Sequence, residues 1–351
     1  MNLPTFLKDH RLDGTLLFGF YGGGNYGDEL LMEVLAGLLK KRGTKNVSIA
    51  YQHPENYDTF HHDFEYPLVN MHSKPALIKA MLSKKNIVVG GGGLWGMDAN
   101  LNVLLMSMLL FLSRWVFGKK VYLLAIGYYN SSTTIGRLGA WLAGKAAHVI
   151  IARDDETYTN FARINKHTNQ DTDIAWYIDD LNLDAYRADV DALDRQVALS
   201  DKTLFITLRR FKENYKNRLT EVVADCLDQN SGRPIIIALM EPREVDPDGY
   251  ALLEQWHASH SNVQILDFSF NPLALFLLFR RHHDRLVFIG PQFHAILSAH
   301  LTGVPYLPLA YDNKVQGLLH SIAPGEIPIT VQSLQTADVQ QFIDRTCPLA
   351  V

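Results

Sequence analysis

The sequence predicts an α/β protein made of two doubly wound, Rossmann-like domains facing a cleft. Three observations predict it. Short apolar runs alternate with helix-period segments along nearly the whole chain, the alternation lapses once and restarts, and three of the runs end in glycine-centred turns. The turns are Gly22-Gly23-Gly24-Asn25-Tyr26-Gly27-Asp28-Glu29, Gly90-Gly91-Gly92-Gly93 and Gly290-Pro291-Gln292-Phe293-His294. Glycine lets the backbone approach a ligand closely, and the N–H groups that open the following helix favour an anion. A chain of 351 residues has room for two such domains.

Residues 15–21 read as a buried strand. Residues 29–40 read as a helix with Leu30, Leu31, Val34, Leu35, Leu38 and Leu39 on one side, closed by Lys40, Lys41 and Arg42 before Gly43. Strands follow at 47–51, 87–89, 121–125 and 149–152, each separated by enough chain for a helical crossover, and a short one around 172–176. Residues 179–200 are rich in Asp, Ala and Arg with little apolar periodicity, so the expected division is a first domain over 1–182, a linker over 183–200 and a second domain over 201–351. In the second domain, strands are expected at 203–208, 234–239, 263–266, 286–289 and 306–308. Asn271-Pro272 opens a helix over 273–281, and another helix covers 293–302.

Composition narrows the function classes. Hydrophobic residues at 47% and charged residues at 20% mark a globular rather than a disordered chain. A formal net charge of -4 argues against a nucleic-acid partner, so anion binding has to be local. Cys226 and Cys347 belong to no Cys-x-x-Cys pair and read as free thiols in a reducing compartment, which places the protein in the cytoplasm. Residues 1–14 carry Lys8, Asp9, Arg11 and Asp13 before any long apolar run, unlike a signal peptide.

Residues 101–117 are the most apolar stretch. Asn102, Ser107, Ser113 and Arg114 interrupt it, and it is shorter than the roughly 20 residues that span a bilayer. It reads as a buried core helix, while Trp115, Phe117, Lys119 and Lys120 leave open a peripheral membrane contact over 101–120.

Gly22, Gly24 and Gly27 satisfy the dinucleotide pattern Gly-x-Gly-x-x-Gly. However, the second strand ends in Tyr51-Gln52-His53 where a ribose-binding acid belongs, and Asp28 and Glu29 would repel a pyrophosphate. No P-loop motif occurs. The adjacent pairs His61-His62 and His282-His283 lack the companion ligands of a zinc site, so no metal is expected.

Other short motifs accompany the three turns in order. They are Gly19-Phe20-Tyr21 before the first turn, Leu94 after the second, Ala125-Ile126-Gly127-Tyr128, Arg153-Asp154, Asp173-Ile174-Ala175, Arg209-Arg210, Gly303-Val304-Pro305 and Tyr311-Asp312-Asn313-Lys314. As an ordered set, from about residue 19 to 318, they resemble the polysaccharide pyruvyl transferase family. One departure stands out: where that family has Arg before Leu-His, this chain has Gln292 before Phe293-His294. A neutral amide cannot replace an arginine fork on phosphate or carboxylate. Either Arg153, Arg209, Arg210 or Arg281 supplies the charge, or the donor or acceptor differs.

The resemblance implies a glycosyltransferase-B-like fold and transfer of pyruvate from phosphoenolpyruvate onto two hydroxyls of a sugar, as a cyclic ketal, with no metal or redox cofactor. The acceptor would be a saccharide of a polysaccharide or glycolipid precursor, free or lipid-linked. His294 is the expected general acid/base, because imidazole exchanges protons near neutrality. Arg153 and Arg209 or Arg210 are expected to hold the donor's phosphate and carboxylate. Gly24, Asn25, Gly27, Asp28, Gly92, Gly93, Gln292, Phe293 and Lys314 complete the expected substrate contacts. A nucleotide-sugar glycosyltransferase and a non-catalytic sugar-phosphate binding protein, hinted at by Gln292, are the alternatives.

Overall fold

The computed structural model describes residues 1–55, 62, 66–96, 99–130, 132–197, 199–209, 213–310, 313–323 and 329–346. The chain forms two compact units. One takes in most of residues 1–183, and the other comprises Gly24–Gly27 together with Asp184–Val351.

The first unit runs α1 (Leu3–Asp9), β1 (Thr15–Phe18), α2 (Tyr26–Lys41), β2 (Ser48–Tyr51), β3 (Leu68–Asn70), α3 (Lys74–Ser83), β4 (Asn86–Gly90), α4 (Leu101–Trp115), β5 (Lys120–Ile126), α5 (Thr134–Ala146), β6 (Val149–Ala152), α6 (Asp155–Ala162) and β7 (Thr168–Gln170). Its seven strands form one parallel sheet in the order β3-β2-β1-β4-β5-β6-β7. After their first residues, Thr15, Asn86 and Lys120, the central strands are buried apolar runs because helices cover both faces, as a parallel sheet requires. On one face Leu77 and Met81 of α3, Val103 and Leu110 of α4, and Ala140 and Ala143 of α5 join a single core. On α5, Gly139 admits the close approach of Ser107 of α4 and Gly136 that of Ala99 in the turn before it, and Asn100 and Thr133 cap the two helices.

One expectation fails here, and one strand was not foreseen. The segment 172–176 is not a strand: Asp173 accepts from the Ala175 N–H at 3.0 Å and caps a 3-10 turn over Ile174–Asp180, while the strand, β7, lies just before it. β3 escaped the sequence pattern because it is a three-residue strand at the sheet edge, half-buried at most.

The second unit runs α7 (Arg187–Gln196), β8 (Thr203–Leu208), α8 (Glu213–Gln229), β9 (Ile235–Leu239), α9 (Pro247–Ser259), β10 (Val263–Leu266), α10 (Pro272–Arg281), β11 (Leu286–Gly290), α11 (Phe293–Thr302), β12 (Tyr306–Ala310), α12 (Asn313–Ile322), β13 (Ile329–Thr330) and α13 (Thr336–Thr346). Its six strands are parallel, in the order β10-β9-β8-β11-β12-β13. The 183–200 stretch expected as a linker holds a regular helix instead. α7 buries Val190 and Leu193 and packs against α10, and Arg281 reaches back to Asp191 at 2.8 Å and Asp194 at 3.0 Å. Two apolar positions three apart suffice to seat a three-turn helix, and the surrounding Asp, Ala and Arg hide them from a periodicity search.

Candidate functional site

In the second unit the sequence motif at the end of β11 becomes a tightly tied turn. The Gln292 side chain is buried. Its Oε1 accepts from the Thr207 hydroxyl at 2.5 Å, and its amide nitrogen donates to the Leu208 carbonyl. Both partners lie at the end of β8, so this amide fastens the start of α11 to the neighbouring strand. That use of both ends of the amide is the physical content of a glutamine at this position. A guanidinium would bring a charge and no acceptor for the Thr207 hydroxyl.

Gln292 is the N-cap position of α11 without a side-chain cap, and Phe293 and His294 form the helix's half-buried first turn. The His294 imidazole lies directly over Gly27. A methyl group built on Gly27 would stand 2.0 Å from His294 Nδ1 and 2.9 Å from its Cε1, a separation no real contact tolerates. Glycine is required there for space, not for backbone conformation.

Tyr26 holds this platform. Its N–H donates to the Met240 carbonyl at 3.0 Å, its hydroxyl shares a 3.0 Å hydrogen bond with Ser298 of α11, and its ring meets the edge of Phe268. Burial pushes the Tyr26 phenol well above its ordinary pKa, so it remains a neutral hydrogen-bonding group. Nothing in the sequence set Tyr26 apart from a packing tyrosine.

Asn25 caps its own turn by accepting from the Gly27 N–H at 3.0 Å. Together with Arg209, Glu241 and Gln292 it lines a small recess at the carboxyl ends of β8, β9 and β11, where ligands lie in open parallel sheets. Gly24 packs closely on Pro242. Arg210 lies outside the described residues, and Lys314 is placed only as a backbone position in α12.

In the first unit the expected anion-binding arginine has a different environment. Arg153 is buried at the end of β6. Its Nη1 donates to Asp173 at 3.0 Å, and its Nε and Nη2 donate to the Tyr129 hydroxyl at 3.1 and 2.7 Å. Tyr129 in turn donates to Asp154 at 3.0 Å, and Asp154 caps α6 through the Thr157 N–H. Burial opposes charge on Arg153, but Tyr129, Asp173 and Asp154 outweigh it and hold the guanidinium protonated. The motifs Arg153-Asp154 and Asp173-Ile174-Ala175 thus meet in one network, which also lies against the second glycine turn: Nη2 stands 3.6 Å from where a Cβ on Gly93 would be. Asp28, in the first turn of α2, comes similarly close to Gly92. Tyr129 is the member the sequence did not disclose.

The first glycine turn is filled by the chain's own side chains. The Tyr51 ring occupies the space over Gly22, where an added Cβ would meet it at 2.3 Å, and Gln52 donates to the Phe20 carbonyl. Glu29 is fully buried and accepts from the Gly22 N–H at 2.8 Å; nearby, His62 bonds Glu33 at 2.6 Å and lies 3.3 Å from the Tyr51 hydroxyl. A carboxylate thus takes the N–H that a pyrophosphate would use. The paired histidines behave as packed residues where they are described: His62 pairs with Glu33, and His282 with Asp194.

The family model described as polysaccharide pyruvyl transferase matches residues 25–313. No curated protein matches the chain. Among solved structures, the chain is similar to the UDP-GlcNAc 2-epimerase of Methanocaldococcus jannaschii, with a TM-score of 0.62 at 13% identity over 94% of this chain and 91% of that one. It is also similar to the Neisseria meningitidis UDP-GlcNAc 2-epimerase bound to UDP-GlcNAc, with a TM-score of 0.60 at 12% identity over 96% and 94% of the two chains. Anabaena HepE in complex with UDP and glucose gives 0.57 at 13% identity over 94% and 89%. At these identities the likeness concerns the fold: two parallel-sheet α/β domains of the glycosyltransferase-B-like kind.

Proposed function

Because the chain belongs to the polysaccharide pyruvyl transferase family, and is on that account a transferase, we propose that it moves pyruvate from phosphoenolpyruvate onto two hydroxyls of a saccharide acceptor. In this reading the donor's methylene carbon takes a proton, one acceptor hydroxyl attacks the central carbon, the second closes the ketal, and inorganic phosphate leaves. His294 gives and takes the protons. The observation that carries the reading is the family match itself, and the seat of His294 over Gly27 at the start of α11 supports the residue's role.

Arg209, which lines a narrow recess with Asn25 and Gln292 at the strand ends, is one candidate for the donor's anionic groups, with Arg210 beside it in sequence. Arg153 already serves Asp173 and Tyr129, so we assign it to holding the second glycine turn. Phe293 and Lys314 remain proposed substrate contacts in the second unit and Asp28, Gly92 and Gly93 in the first, while Gly24 and Gly27 serve the turn that seats Pro242 and His294. The chemistry calls for no metal or redox cofactor, and Cys226 and Cys347, read as free thiols, suit a cytoplasmic location.

The test is acceptor-dependent release of phosphate from phosphoenolpyruvate by the purified protein, using a panel of glycosides and lipid-linked sugars. Release is expected to vanish in His294→Ala at unchanged melting temperature. Gly27→Ala, which evicts the imidazole, should reduce it at least tenfold. Full release by His294→Ala would remove that residue from the mechanism. A nucleotide-sugar reading takes its support from the UDP ligands named for the structural neighbours; it predicts release of a nucleotide in place of phosphate.

A further inference from the structure

The outward faces of α3, α4 and α5 form an apolar surface with no acidic residue. On α4, Leu101, Leu105, Met108, Leu112 and Trp115 recur at helical spacing and are between 42% and 65% exposed. Val116 and Phe117 continue the stripe, Leu138 and Trp141 of α5 stand exposed beside it, and α3 adds Ile78 and Leu82. The three helices pack on the same face of one sheet, and the Lys119 ammonium donates to the Leu82 carbonyl, tying the turn after α4 to the end of α3. Among the described residues no other element covers this stripe to the extent of hiding it. An exposed patch of this size and continuity marks an interaction surface.

Charge identifies the partner. Residues 74–85, 99–122 and 132–148 contain no Asp or Glu, in a chain whose formal net charge is -4. Their exposed charges, Lys74, Lys79, Lys85, Lys120, Arg137 and Lys145, are all cations. Beyond Phe117 the surface runs into an open recess of about 520 Å³ lined by Arg11, Lys85, Lys119 and Lys120. The one acid among the described lining residues, Asp13, pairs with Arg11 at 2.5 Å and accepts from the Lys45 N–H at 2.8 Å, which leaves Lys85, Lys119 and Lys120 as the net charge of the recess. A second copy of this chain would set lysines against lysines, whereas an anionic lipid surface satisfies the apolar stripe and the cationic rim together.

We infer that this face binds peripherally to an anionic membrane, with Leu105, Met108, Leu112 and Trp115 inserted at the level of the headgroups and the lysines on the lipid phosphates. No helix among the described residues is long and apolar enough to cross a membrane, so the attachment is to one surface. It would place the protein beside a lipid-linked saccharide, a corollary that rests on the transferase reading; the binding itself does not.

The test is co-sedimentation of the purified full-length protein with vesicles of phosphatidylcholine, with and without phosphatidylglycerol. Binding to the anionic vesicles is expected, weakened by salt, and reduced roughly tenfold or more in Leu112→Ser/Trp115→Ser. Lys119→Gln/Lys120→Gln should weaken it with less effect on thermal unfolding than any core substitution. Absence of binding to anionic vesicles, or equal binding by the Leu112→Ser/Trp115→Ser variant, would overturn the inference. So would a dimer in light scattering that the same variant dissociates, which would assign the face to a second copy. Phosphate release with a water-soluble acceptor should be equal in wild type and variant. A membrane-binding failure is thereby separable from a failure of the transferase reading.

Discussion

α4 and α10 are both short, strongly apolar helices on parallel sheets, yet they end in opposite environments. α10 buries Leu273, Leu275, Phe276, Leu278 and Phe279, because α7 and α11 pack over it. α4 buries Val103, Met106 and Leu110 and leaves its other apolar side in solvent. Composition alone does not decide whether an apolar helix is core; the presence of a covering element does. In the second unit that cover is α7, which comes from a stretch with little apolar periodicity.

The contrast can be broken at graded cost. Phe276→Ala should be the most damaging, removing about 3–5 kcal/mol of stability by leaving a cavity in a fully packed site. Leu193→Ala on α7 should cost about 2–4 kcal/mol, because it uncovers α10 as well as opening a void. Arg281→Ala breaks the partly exposed pairs with Asp191 and Asp194 and should cost no more than about 1 kcal/mol. Leu105→Ala on the open side of α4 should leave the unfolding free energy within about 0.5 kcal/mol of wild type. A large loss there, measured by denaturant titration, would mean that α4 is covered after all.

Acid titration sharpens the same comparison at the inner end of α4. Burial, helped by the nearby Arg114, lowers the His148 pKa below its ordinary value, and Arg114 contacts the ring. A depressed histidine contributes stability that is present above its unfolded pKa and is lost as pH falls through the folded one. The first unit should therefore weaken slightly below about pH 6.5, and His148→Asn should flatten that slope in a melting series.

Much of the fold was readable because parallel strands are near-continuous apolar runs between turn signals. β8, β10 and α11 begin and end where the pattern placed them. What was not readable shares one cause, the dependence on partners distant in sequence. β3 and β13 are edge strands of three and two residues, too short to carry a period. The run at 172–176 is apolar as a strand would be, but Asp173 spends one oxygen on capping and the other on Arg153, twenty residues away.

For the candidate site, the motifs located the turns but not the bonds inside them. The Gln292 amide is engaged by Thr207 and Leu208, and no spacing within its own motif announces that. The apolar character of α4 was plain, whereas its exposed side depended on which neighbours would pack on it.

The four residues Gly24–Gly27 carry a practical lesson for dissecting the molecule. They precede the rest of the second unit by more than a hundred residues of sequence, and they supply the bonds to Met240 and Ser298 and the bed on which His294 rests. A fragment beginning at residue 184 would be born without them. It would expose the apolar edge of Phe268, leave the Met240 carbonyl to water and free the imidazole to wander. Proteolytic or genetic halving of this chain should therefore yield a C-terminal piece that is sticky and inert, even where its sheet survives. Adding back a peptide that spans the first glycine turn is the natural rescue.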